Sequence, residues 1–330
     1  MSTCFSLLVI TSLVASTAVV LSTTQAATTP PQNPVTTADA AQTTPTFKVD
    51  VSVLTMSVTV VDAKTGKSVT GLNKDDFVLF EDGEQRRIAG FRAVTESTEN
   101  RVPIGLGLVL DVSGSMTHDK LDAMRTAVEA MINKRLTTPG DQIYFMGFGP
   151  TPKMVVPWTS DGKEILTAIR TIKTQPHGTA IYDAVAAALP ISAQGKNKKE
   201  VILVITDGAD TNSRVKRAQL VEMARRSEVM VYALVVGEEP VISHGQVDGS
   251  IRQHVLELSQ VTDATGGRAQ VVSGFQELEA ALGTFGKDLT SQYEVSFERS
   301  GAKDGVLHQV RIGVRRQGVL VRHKLGYVAN

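Results

Sequence analysis

At 330 residues with 42% apolar content, the chain is long enough for one large domain and a smaller one, each with a real core. Its 34 basic and 34 acidic residues cancel, which excludes the overall charge excess of a nucleic-acid or anionic-membrane binder. The one cysteine, Cys4, lies so near the start that a chain cut after Ala26 has no disulfide, thiolate nucleophile or Cys-ligated zinc.

Residues 1–26 hold an uncharged apolar run, 5–21, followed by small polar residues ending at Ala26. That is the shape of a cleaved signal peptide, though no Lys or Arg precedes the run; the rival, an uncleaved anchor, wants a longer span. Residues 27–46 are Thr, Pro, Ala and Gln with no apolar period, the composition of a disordered linker. An N-terminal β segment, 47–100, follows. Val49, Val51, Val53, Val58 and Val60 alternate with polar neighbours, and strands at 77–81 and 85–94 flank an Asp82-Gly83 hairpin turn.

From 101 to 289 the pattern becomes strand alternating with helix. Strands are expected at 104–110, 142–148, 153–158, 201–205, 229–236 and 268–272, and helices at 119–136, 162–172, 179–193, 214–226, 251–264 and 275–289. Runs such as VILVIT and VMVYALVV are apolar throughout, as strands covered on both faces are. The expected class is α/β: a doubly wound, mostly parallel six-stranded sheet. Beyond 289 the period returns to two, through Tyr293, Val295 and Phe297, then Val310, Ile312 and Val314, then Val319, Val321 and Leu325. Each β flank alone leaves an apolar face uncovered. The C-terminal segment, 290–330, should therefore pack with 47–100 as a small β-sandwich, the α/β domain inserted between them.

Three segments bring oxygen to the carboxyl edge of the sheet, where open α/β folds bind ligands. IGLGLVLDVSGSM ends a buried strand in Asp111, Ser113 and Ser115; HGTAIYDA carries Gly178 and Thr179; VITDGAD places Asp207 at the end of another strand. Carboxylates and hydroxyls without His or Cys suit a hard dication, Mg²⁺ first, with Mn²⁺ or Ca²⁺ as alternatives. Singly, each residue reads as a helix N-cap; jointly they read as a metal site.

This triple pattern resembles the metal-ion-dependent adhesion site of the von Willebrand factor type A domain family, over about 103–289. The segments VTGLNKDDFVLFEDGEQRRI, QYEVSF, HQVRIGV and VRHKLGY resemble, more loosely, the flanks of a bacterial exported group of such proteins. The resemblance implies that Asp111, Ser113, Ser115, Thr179 and Asp207 carry the ion, directly or through water. It also implies that one coordination position awaits an Asp or Glu of a partner protein. With only two carboxylates the shell is under-neutralised, which suits such a visitor. Asp183 and Asp210 are expected to be solvated or supporting.

Catalysis fits poorly. Ser113 stands where a phosphoryl-transfer aspartate would have its second carboxylate, no serine sits in a Gly-x-Ser-x-Gly elbow, and Gly147-Phe148-Gly149 runs into Pro150 instead of a helix. His118 and His177 read as ordinary loop histidines, RIGVRRQGVLVRHK as a solvated basic face, Trp158 and Tyr182 as core or rim, and 238–250 as a loop beside the ligand face. The expectation is a non-enzymatic exported adhesion module, periplasmic, surface-bound or secreted, without nucleic-acid partners and touching membrane only through an uncleaved leader. The alternative is a non-catalytic regulatory or assembly subunit of an envelope enzyme or transport complex.

Overall fold

The computed structural model describes residues 52–94, 102–135, 139–176, 178–237, 242–243, 246–247, 250–299 and 304–329, all within one unit, Asp50–Asn330. The apolar leader, the Thr/Pro linker, Val49, Val51, His177 and most of 238–250 lie outside the described residues. Among the described residues no helix is long and apolar enough to cross a membrane.

The N-terminal β segment forms β1 (Val53–Asp62), β2 (Phe77–Glu81), β3 (Glu84–Arg86) and β4 (Ile88–Val94). The α/β region runs β5 (Ile104–Asp111), α1 (His118–Arg135), β6 (Gln142–Phe148), β7 (Pro152–Thr159), α2 (Gly162–Thr171), α3 (Ile181–Ala193), β8 (Lys199–Thr206), α4 (Arg217–Arg226) and β9 (Met230–Val236). It continues with the short pair β10 (Ile242–Ser243) and β11 (Gln246–Val247), then α5 (Ser250–Ala264), β12 (Arg268–Val272) and α6 (Leu278–Thr290). The chain ends in β13 (Gln292–Glu298), β14 (Leu307–Val314), β15 (Val319–His323) and β16 (Gly326–Val328).

The central sheet has the order β12-β9-β8-β5-β6-β7, parallel except for the antiparallel edge strand β7. Every residue of β5 is buried, because helices cover both faces. On one face Leu106, Leu108 and Leu110 pack with Met124, Val128, Ile165 and Phe285 from α1, α2 and α6. On the other Val109 packs with Val185, Leu220 and Val261 from α3, α4 and α5. Full burial of such side chains contributes roughly 1.5–3 kcal/mol each.

The two flanks close over one apolar interior. One sheet has the order β15-β1-β13-β4 and the other β16-β14-β2-β3, so each mixes strands from before and after the α/β domain. Val58, Val60, Leu79, Val295, Phe297, Ile312 and Tyr327 meet between them. The Asp82-Gly83 turn carries positive φ at both residues, 50° and 88°, the geometry a two-residue hairpin needs.

Two strand expectations are corrected. The stretch 85–94 is not one strand: β3 pairs with β2, the chain breaks at Arg87, and β4 pairs with β13 in the opposite sheet. Likewise Val319 to Leu325 does not end the chain as one strand, because β15 stays with β1 while β16 crosses to β14. In both places a single alternating pattern serves two sheets in succession. Helix starts are also later than expected: α3 begins at Ile181, α4 at Arg217, and a 3₁₀ turn, Phe275–Glu277, precedes α6.

The basic run in the last strands is a solvated face only in its first half: Arg311, Arg315 and Arg316 are exposed, whereas Arg322, His323 and Lys324 are partly or fully buried. Arg322 Nη2 donates to Asp288 at 2.9 Å, Lys324 pairs with Glu228, and buried His323 accepts from the Ile312 amide at 2.9 Å, with burial holding its pKa below the usual value. Arg322 and Lys324 thereby join the sandwich to the α/β domain.

Gly107 is where a side chain would break the sheet. An added Cβ would fall 2.2 Å from Tyr144 Oη, and Tyr144 is fixed by hydrogen bonding to Ser192 at 2.9 Å and by edge contact with Trp158. Gly107→Ala is expected to cost about 1–3 kcal/mol, read as a lower urea midpoint at unchanged slope.

Candidate metal centre

Asp111 ends β5 at the carboxyl edge and is fully buried, at 0% exposure. Its Oδ1 accepts the Ser113 amide at 2.8 Å and its Oδ2 accepts the Thr206 hydroxyl at 2.6 Å. The parallel pairing of β5 with β8 makes the second bond, since it sets Leu110 opposite Ile205 and brings Thr206 and Asp207 alongside. Burial pushes the Asp111 carboxyl above its ordinary value. Bonds from Ser113 and Thr206 pull the other way, and the Asp207 charge adds to the rise.

The loop then turns its hydroxyls across the gap. Ser113 and Ser115 share a hydrogen bond at 3.0 Å, and Ser115 Oγ donates to Asp207 Oδ1 at 2.7 Å. Asp111, Ser113, Ser115 and Asp207 thus form a continuous chain of contacts from two remote segments. Asp207 Oδ2 accepts from Lys120 Nζ at 2.6 Å, and that ammonium also donates to the Ser115 carbonyl at 3.3 Å.

Thr179 reaches the same edge through its backbone. Its amide donates to Thr211 Oγ1 at 2.9 Å, its carbonyl accepts the Thr211 and Asn212 amides, and the Ala180 amide donates to the Gly149 carbonyl at 2.7 Å. Gly149 follows β6, whose Phe148 sits opposite Asp111, so the Thr179 loop lies between the neighbours of the first two segments. Gly178 takes φ +82°, which lets this turn form without strain. Helix capping does not account for Thr179, because the α3 N-cap is Ala180 and carries no side-chain cap.

Asp183 accepts from backbone alone, the Arg214 and Val215 amides, and Asp210 Oδ1 from one amide, that of Tyr182, and one hydroxyl, that of Ser213. They tie the start of α3 to the loop after β8. His118 sits on the first turn of α1 and pairs with Asp122 at 3.2 Å, away from the oxygen chain. Trp158 packs on Tyr144, and Tyr182 bonds Glu257.

The oxygens present suit a hard dication. The 3.0 Å between the serine hydroxyl oxygens is about the cis edge of an octahedron with metal–oxygen bonds near 2.1 Å. Among the described residues no three His, Cys, Asp or Glu side chains gather in one place, so any such site rests on hydroxyls as much as on charge. Residue patterns missed Lys120 and Thr206. A signal for Lys120 existed: a lysine as the third residue of α1 opposes the helix dipole and calls for an anion nearby.

A doubly wound sheet with helices on both faces, its first buried strand ending in an Asp-x-Ser-x-Ser loop, is the architecture of a von Willebrand factor type A domain. Residues 106–209 match the von Willebrand factor type A domain family, and the chain carries a domain of that family. An uncharacterised protein of Synechocystis sp. is 28% identical over 158 residues, 47% of this chain and 37% of that one. A second, from Borreliella burgdorferi, is 23% identical over 197 residues, 54% of this chain and 57% of its own length. The chain therefore spans well under two thirds of either relative. Among solved structures, a von Willebrand factor type A protein from Catenulispora acidiphila is 14% identical with a TM-score of 0.48, covering 76% of this chain and 71% of that one.

Asp111 gives a stability prediction with a definite sign. An acid whose folded pKa lies above its unfolded one binds its proton more tightly when folded, so its stabilisation is fully present below the ordinary aspartate pKa and is lost as pH rises through the folded value. In chelator, Asp111→Asn should unfold at higher urea than the parent at pH 7, and the gap should close as pH falls towards 4. A lower midpoint at pH 7 would contradict the electrostatic account of this residue.

Proposed function

We propose that this protein is an exported binding module that holds a divalent cation, Mg²⁺ first, at Asp111, Ser113, Ser115, Thr179 and Asp207, and uses it to capture an Asp or Glu side chain of another protein. One observation carries the reading: two carboxylates and two hydroxyls, from loops some 90 residues apart, are already in mutual contact at the carboxyl edge of the sheet. The cation would supply an electrophilic coordination position for a carboxylate oxygen. The protein's own residues do the rest. Thr206 and the Ser113 amide orient Asp111, the Ser113–Ser115 pair sets the hydroxyl edge, and the Thr211 and Asn212 amides fix the Thr179 loop.

Binding is favoured over catalysis because the hydroxyls here are bonded to one another and to a carboxylate, and among the described residues no histidine bonds them: His118 pairs with Asp122. The signal-like leader supports export, and the neutral overall charge supports a protein partner over nucleic acid.

The reading predicts a cation-dependent melting temperature. Mg²⁺ at about a hundred times its Kd should add about 2.7 kcal/mol to the wild-type stability and nothing to Asp111→Ala. A pull-down from bacterial envelope extract should recover a partner with Mg²⁺, and lose it with chelator or with Asp111→Ala. Equal recovery in all lanes would remove the cation from the interaction.

A further inference from the structure

Lys120 is the charge at this edge that the proposed function leaves unused. It stands on the first turn of α1 with its side chain 42% exposed, while the Asp207 side chain it grips is 2% exposed. Its ammonium meets Asp207 Oδ2 at 2.6 Å and the Ser115 carbonyl at 3.3 Å, so it clasps both loops of the oxygen chain. Asp207 is thereby held by two donors, the Ser115 hydroxyl on one oxygen and Lys120 on the other. A cation seated among Asp111, Ser113 and Ser115 would lie within a few ångströms of that ammonium, and the two would repel.

We propose that Lys120 is a positioning residue that sets the charge of the centre: it fixes Asp207, weakens cation binding, and leaves the loaded centre with the positive charge that draws a partner's carboxylate. This inference rests on the cation-dependent reading above. The formal charges give its logic. Asp111 and Asp207 carry two negative charges, which a dication alone would cancel; the expectation of an under-neutralised shell therefore fails on formal charge, and the cation alone leaves little attraction for a further anion. With Lys120 included, the loaded centre is net positive by one, and an incoming Asp or Glu brings it to neutrality. The lysine thus lowers affinity for the cation and raises affinity for what the cation captures. Selectivity follows, because a neutral polar side chain gains nothing from that surplus charge.

Mn²⁺ serves as the probe, titrated calorimetrically against the full chain at low salt for wild type, Lys120→Gln, Lys120→Arg and Asp111→Ala. Lys120→Gln is expected to bind Mn²⁺ roughly tenfold more tightly or better, the order expected for removing one charge at this range. Lys120→Arg, which keeps the charge, should stay within about threefold of wild type. The second readout is the relaxation of acetate methyl protons by protein-bound Mn²⁺, which should be weaker with Lys120→Gln than with wild type although more metal is bound. Wild-type binding that Lys120→Gln leaves unchanged or weakens would overturn the role of the lysine while keeping the metal centre. Acetate relaxation equal in the two proteins would overturn the capture half. Binding no better than Asp111→Ala by wild type and Lys120→Gln alike would bring down the metal reading and this inference with it.

Discussion

A carboxylate with no exposed surface is costly, and the end of β5 is built around meeting that cost. Asp111 has left water, and its charge is supported by one amide and one hydroxyl, each from a different segment of chain. The amide exists in that place only because the Ser-Gly-Ser loop turns back over the strand end. The hydroxyl exists there only because β8 runs parallel to β5 in the right register. Shift either by one residue and the buried acid loses one of its two partners, leaving an oxygen without a donor, which costs on the order of 1–3 kcal/mol or more. The middle of the sheet and the loops at its rim are therefore one problem with one solution.

The same reasoning explains what was readable beforehand. Strands covered on both faces carry no alternation, so IGLGLVLD and VILVIT announce themselves as unbroken apolar runs, and the polar residues that stop them must lie at the sheet edge. What escaped were features depending on partners distant in the chain. Lys120 looks like an ordinary helix residue until Asp207 is placed opposite it. Arg322, Lys324 and His323 look like a wet strand face until α6 and the residues before β9 are packed against them. Arg87 looks like a strand interior, because an alternating pattern is silent about which sheet each half joins. Periodicity reports which way a side chain faces; it does not report the neighbour it faces.

The sandwich and the α/β domain are held together mostly by charged and polar side chains. Asp288 receives Arg322 at 2.9 Å, Glu228 receives Lys324, and Lys199 at the start of β8 donates to the Gln292 side chain of β13. Contacts of this kind are directional, so the two parts are fixed in orientation and not merely pressed together. β13 meets the α/β domain at Lys199, beside Ile104 at the start of the parallel strands, whereas Asp111 stands at their opposite end.

The pairing of β1 has a consequence for how the molecule comes into being. Val53 lies beside Glu298 and Val58 beside His323, so β1 waits for partners made some 250 residues later. Closing so long a loop is entropically slow, whereas the α/β segment between can settle through near-neighbour strand and helix contacts. The inserted domain then acts as a splint: once folded, it brings its two ends together and shortens the effective distance the flanks must search. Nascent chains stopped before residue 290 would carry a finished core and a bare, sticky hairpin, the form in which this protein is most exposed to aggregation and most in need of a chaperone.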